Sequence, residues 1–158
     1  MGLVMAVVAT AKLEGVDKLI KQLKSLKMSG SGSVKAGVME GATNSSGVNV
    51  LEYAPFLEFG TKNIPSRPYL RKTFAEHNQD WLELLAKALK GGVSSETALD
   101  YVGGEMKADI IDMIKSNMPP ANGPEWVKHK LKYAPAVADM TLQYTGTLVH
   151  AIDYEVTA

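Results

Sequence analysis

The stretch Glu58-Phe59-Gly60-Thr61-Lys62-Asn63-Ile64-Pro65-Ser66-Arg67-Pro68-Tyr69-Leu70-Arg71 constrains this chain more than any other, because it joins an apolar run to the first long amphipathic helix. Gly60 lets the backbone take a positive φ after Phe59. Pro65 and Pro68 fix their own φ and push Ile64 and Arg67 toward extended conformations. The chain must turn here. Pro68 is expected in the first helical turn, where its missing N–H would have had no intrahelical partner. Arg67 and Arg71 then fall at i and i+4 of a helix start, where two cations oppose the helix dipole. A carboxylate partner is therefore expected, and Glu58 is the candidate within the chain; a neighbouring subunit is the other source.

Upstream, Val4 to Thr10 is short and β-branched and reads as a strand, although its continuous apolarity also suits a buried helix start. Val16, Leu19, Ile20, Leu23 and Leu26, with Lys18, Lys21, Lys24 and Lys27 opposite, predict an amphipathic helix. Ser29 to Ser33 is a flexible loop of small residues. Val34 to Glu40 alternates as a strand, Gly41 to Gly47 is a polar loop, and Val48 to Phe59 resumes the apolar pattern. That last run reads as a second strand returning beside the first, with Pro55 at a break, an edge or a bulge; a short helix over Leu51 to Glu58 is the alternative.

Downstream, Leu70, Phe74, Trp81, Leu85, Ala88 and Leu89 predict a helix from Pro68 to about Lys90, stopped by Gly91-Gly92. Ser94 or Ser95 caps a second helix carrying Leu99, Val102, Met106, Ile110 and Met113, and the two should form an antiparallel hairpin. Gly103-Gly104 inside that pattern needs a reason, such as close helix packing or a kink. Residues 118–141 are cut by Pro119-Pro120, Asn122-Gly123-Pro124 and Pro135 and are expected to be irregular, with Trp126 as an anchor on the core or on a partner. Thr145-Gly146 turns into a terminal strand at Ile152 to Val156. The predicted fold class is α+β: one domain over residues 1–158, with a mixed or antiparallel sheet packed against an N-terminal amphipathic helix and a long helical hairpin.

At 158 residues the chain is long enough to bury a core without a disulfide or a structural metal. It has no cysteine, which rules out disulfide scaffolds, thiolate metal sites and cysteine nucleophiles. Seventeen basic residues balance seventeen acidic ones, which argues against binding driven by bulk charge. No signal peptide or membrane span is expected, and a reducing cytosol is the natural place of synthesis. There is no phosphate-binding glycine loop, nucleophile elbow, H-E-x-x-H or calcium loop, and no cofactor is expected. His77, His129 and His150 lie in unrelated contexts. Glu52 and Glu58 would share a face of a strand as an acid/base pair, but structural carboxylates are the plainer reading.

Tyr53-Ala54-Pro55-Phe56-Leu57-Glu58-Phe59-Gly60-Thr61 followed by Ile64-Pro65-Ser66-Arg67-Pro68-Tyr69-Leu70-Arg71 resembles the E-F-G-T … I-P-x-R-P-F signature of neck and tail-completion proteins of long-tailed bacteriophages and prophages, of the virion-morphogenesis or minor tail protein Z type. Leu142 to Leu148 and Ala151 to Val156 are similar to that family's closing motifs, with Tyr144 where aspartate is usual. The resemblance implies a non-enzymatic subunit of a homo-oligomeric ring, commonly of six copies, at the head-proximal end of the tail. It implies the tail-tube and head-connector proteins as partners, DNA passing through without sequence-specific binding, and a place in the virion after synthesis in the host cytoplasm. On this reading Glu58, Phe59, Gly60, Thr61, Pro65, Arg67, Pro68, Tyr69 and Arg71 either hold the joint or bridge subunits. A small metal-dependent hydrolase or nuclease using Glu52, Glu58 and a histidine, and a nucleic-acid-binding module using the lysines at 18 to 27, are the alternatives from other classes.

Overall fold

The computed structural model describes residues 32–44 and 46–157. The expected strand at Val4 to Thr10, the helix from Val16 and most of the Ser29 to Ser33 loop lie outside the described residues. The alternation of Val34, Ala36 and Val38 does make a strand, β1 (Ser33–Val38). Its partner is the terminal strand β2 (Ile152–Thr157), antiparallel, in a register running from Ser33↔Thr157 to Val38↔Ile152. Among the described residues the sheet has these two strands, which tie the end of the chain to its first described element.

The run at Val48 to Phe59 does not return as a strand. It forms helix α1 (Val50–Phe59), so the helical alternative holds. Asn49 caps it, its Oδ1 accepting from Leu51 N at 2.9 Å. Val50, Ala54 and Glu58 recur at a spacing of four on its buried face, while Pro55 sits inside the helix on a partly covered face.

After the joint come α2 (Tyr69–Lys90) and α3 (Ser95–Lys115), the expected hairpin. Gly92, at φ 85°, makes the left-handed step between them. Ser94 Oγ then accepts from Thr97 N at 3.1 Å as the N-cap of α3. The legs are clasped where Trp81 Nε1 donates to Asp109 Oδ2 at 2.6 Å. The need for glycine at Gly103 comes from the sheet and not from the neighbouring helix: a Cβ there would overlap Cδ2, Cε2 and Cγ of Tyr154 on β2. Gly104 meets nothing within 4 Å.

Residues 118–141 are more ordered than their prolines suggest. Pro124 opens the ten-residue helix α4 (Pro124–Tyr133), where a proline in the first turn costs no hydrogen bond. A single 3₁₀ turn at Pro135–Val137 follows, then the short helix α5 (Thr147–His150) after Gly146, which has φ 77°. The core gathers Val50, Tyr69, Ile110, Ile114, Met118, Leu148 and Ile152 from α1, α2, α3, α5 and β2 and the segment after α3. The fold is α+β, and no helix among the described residues is long and apolar enough to cross a membrane.

Candidate functional site

The joint turns where the glycine and prolines require. Gly60 sits at φ 77°, and a Cβ there would lie 2.7 Å from Ser66 N and 2.9 Å from Ile64 O, so the loop closes tightly over it. Thr61 braces the same loop: its Oγ1 accepts from Asn63 N at 3.2 Å and Ile64 N at 3.1 Å, and its N–H donates to Ile64 O at 2.8 Å. Pro68 stands just outside α2, as its N-cap residue, one position earlier than expected. A proline has no side-chain acceptor, and the first turn of α2 carries no acidic residue. The orphan N–H groups of that turn need an acceptor from elsewhere.

Glu58 supplies it. Its Oε2 accepts from Leu70 N at 2.9 Å, and its Oε1 accepts from Arg71 N at 3.1 Å. A carboxylate from α1 thus does the work of an N-cap side chain at the positive end of α2. Arg71 completes the cluster: Nε donates to Glu58 Oε1 at 2.9 Å, Nη2 donates to Glu58 O at 3.0 Å, and the guanidinium lies 4.6 Å from the centre of the Phe59 ring. Glu58 is 1% exposed. Glu52, on the same helix, faces solvent, so the two carboxylates do not share a face as they would on a strand.

Arg67 takes a different partner from the one expected. It makes no ion pair among the described residues and turns toward the segment after α3. Nε and Nη2 donate to Pro120 O at 2.9 and 2.7 Å, and Nη2 also reaches Ala121 O at 3.2 Å. Its backbone N–H donates to Leu57 O at 2.8 Å. Arg67 therefore ties the joint to residues 120–122, and burial pulls its guanidinium pKa below the ordinary value. Tyr69 is fully buried, with no partner for its hydroxyl among the described residues, and the hydroxyl pKa is raised first by burial and then by Glu58 and Tyr53. Pro65 lies on the exposed rim.

Beside the joint opens a cavity of about 890 Å³. Tyr53, Leu57, Leu142, Leu148 and Trp126 give it apolar walls, and Arg67 and Gln143 reach it with polar groups. Lys130, on α4 and outside the cavity lining, is fully buried. Its ammonium donates to the carbonyls of Met140, at 2.6 Å, and Gln143. Burial lowers the Lys130 pKa, and the charge of Arg67 lowers it further, while Asp139 pulls the other way. Trp126 is not a core anchor: it stacks on His129 at 5.0 Å, meets Tyr144 edge-on at 5.2 Å and is 43% exposed.

The pattern of proline at the first helical position followed by Trp126, Lys130 and Tyr133 was a legible signal for α4. Nothing local signals that Lys130 is buried or that Gln143 shares a cavity with Arg67. No family model, curated protein or solved structure matches this chain.

Proposed function

We propose that this protein is a structural virion-assembly subunit of a long-tailed phage or prophage, forming a ring at the head-proximal end of the tail that completes the tail for joining to the head. The observation that carries the reading is the joint itself. Its Glu58, Thr61, Ser66, Arg67 and Arg71 side chains are all bonded within the chain and set the angle between α1 and α2. Phe56 and Phe59 stand beside it, 50% and 49% exposed. A rigid corner with two uncovered aromatics suits an assembly face better than a reaction centre.

In this role Glu58, Gly60 and Arg71 hold the corner, Arg67 fastens it to residues 120–122, and Phe56 and Phe59 meet a neighbouring subunit. The partners are further copies of this chain, the tail-tube protein and the head connector, with DNA passing through the lumen. The test is mass in solution, alone and with a tail-tube protein from the same genome. A ring is expected in at least one state, and Phe56→Ser, which leaves the Phe59–Arg71 contact in place, should abolish it while the chain remains folded by circular dichroism. A monomer in both states would sink the proposal.

A further inference from the structure

We propose that Asn122 is a modification site: it deamidates through the backbone nitrogen of Gly123, and the carboxylate so formed pairs with two buried cations, Arg67 and Lys130. This is independent of the ring assignment. Among the asparagines of the chain, Asn122 alone is followed by glycine, whose amide carries no side chain to obstruct its approach to the preceding carboxamide. The Gly123 N–H donates to nothing among the described residues, and Gly123 lies exposed at the start of α4. The fold does not ask for glycine there: its φ is -64°, and an added Cβ would meet nothing within 4 Å.

Water is the only co-reactant the conversion needs. Gly123 N attacks Asn122 Cγ and closes a succinimide ring; the Cγ–Nδ2 bond breaks, and ammonia leaves with the proton that Gly123 N gives up. Water then adds to either imide carbonyl and opens the ring, leaving a carboxylate at position 122 as aspartate or isoaspartate. Arg67 is placed to assist, because its Nη2 lies 3.5 Å from Asn122 Oδ1, the oxygen on which negative charge grows during the attack.

The surroundings favour the product. Arg67 is 6% exposed and Lys130 is fully buried, and both are held by carbonyls without an ion pair among the described residues. Asn122 stands between them. Its Oδ1 faces Arg67, and its Nδ2 donates to Met140 O at 3.0 Å, the same oxygen that accepts the Lys130 ammonium at 2.6 Å; a longer contact reaches Ala138 O at 3.4 Å. Conversion gives up the Nδ2 donor, but Met140 O keeps Lys130. In return it sets one negative charge beside two desolvated positive ones, whose attraction is strong where water is excluded. Position 122 also directly precedes Gly123, the N-cap residue of α4, a helix start without a side-chain cap where an anion is favoured. The modification thereby tightens the tie between the joint and α4.

The experiment incubates the full chain in mildly alkaline buffer and follows its intact mass and tryptic peptides with time. Asn122 is expected to convert before the other asparagines, with water gained for ammonia lost. Gly123→Ala should slow that conversion severalfold while the chain stays folded by circular dichroism. Asn122→Asp reproduces the aspartate product, and its melting temperature should exceed that of the wild type by roughly 3–6 °C, as one additional charge-assisted hydrogen bond predicts for a domain of this size. The same exchange made in Lys130→Met should raise the melting temperature by less, because one of the two cations is gone. The proposal is overturned if Asn122 stays intact, if another asparagine converts as fast, if Gly123→Ala leaves the rate unchanged, or if Asn122→Asp melts at or below the wild-type temperature. An equal gain with and without Lys130 would show that the carboxylate does not pair with both cations, and overturns it too.

Discussion

Glu58→Gln tests whether the carboxylate matters as a helix cap or as one half of an ion pair. Glu58 accepts two backbone N–H groups at the start of α2 and one N–H from the Arg71 side chain. Hydrogen bonds to a charged group contribute about 1.5–3 kcal/mol each and neutral ones about 1 kcal/mol. The amide keeps one neutral acceptor and turns an N–H₂ toward the other donor, so the capping loss comes to roughly 2 kcal/mol. The Arg71 side chain is 41% exposed. Its ion pair is therefore screened and adds no more than about 1 kcal/mol. The whole substitution should cost about 3 kcal/mol, equivalent to roughly 6–12 °C for a domain of this size. Arg71→Gln leaves the cap in place and should cost only about 1 kcal/mol. Urea unfolding followed by circular dichroism measures both, and hydrogen exchange at Leu70 and Arg71 locates the loss. If Arg71→Gln costs as much as Glu58→Gln, the capping argument is wrong and the ion pair holds the corner.

The adjacent glycines of α3 should respond with opposite signs. Gly103→Ala forces a methyl against the Tyr154 ring and should destabilise by about 1–3 kcal/mol, whereas Gly104→Ala, with open space around it, should stabilise by up to about 1 kcal/mol; thermal melts of the pair check this. Lys130 predicts a pH dependence. Its folded pKa lies below the ordinary value of 10.5, so the folded protein releases this proton at lower pH than the unfolded chain does. Between the folded value and 10.5 unfolding takes up a proton, and its contribution to stability rises with pH across that window. The rise should be present in wild-type denaturation curves taken at increasing alkaline pH and absent in Lys130→Met; equal slopes in the two proteins would show that Lys130 is not desolvated.

Where an element depends on neighbours in sequence, it was legible. Gly60, Pro65 and Pro68 prescribe a turn by their own backbone limits, Ser94 marks a helix start, and the apolar stripes of α2 and α3 mark a hairpin. The segment at Val48 to Phe59 was ambiguous because a short apolar run suits a strand or a helix equally. Tertiary context makes it a helix: Asn49 caps its start, Val50, Ala54 and Glu58, four apart, turn inward, and β1 pairs with the distant β2 instead. The two arginines were ambiguous for a similar reason. Spacing put both near Glu58, but only one guanidinium fits beside a carboxylate that already accepts two backbone N–H groups.

The sequence by itself determined that the chain turns sharply between Glu58 and Arg71, that a two-helix hairpin follows, and that an alternating strand lies at each end of the described chain. These are matters of φ, ψ and the period of apolar residues, which act over a few positions. Only the tertiary structure decided that Glu58 caps α2, that Arg67 reaches across to Pro120, that Lys130 is buried against the carbonyls of Met140 and Gln143, and that Arg67, Trp126 and Gln143 line one cavity. Those outcomes depend on which distant donors and acceptors are brought within hydrogen-bonding distance and shut away from water, and no local pattern encodes that.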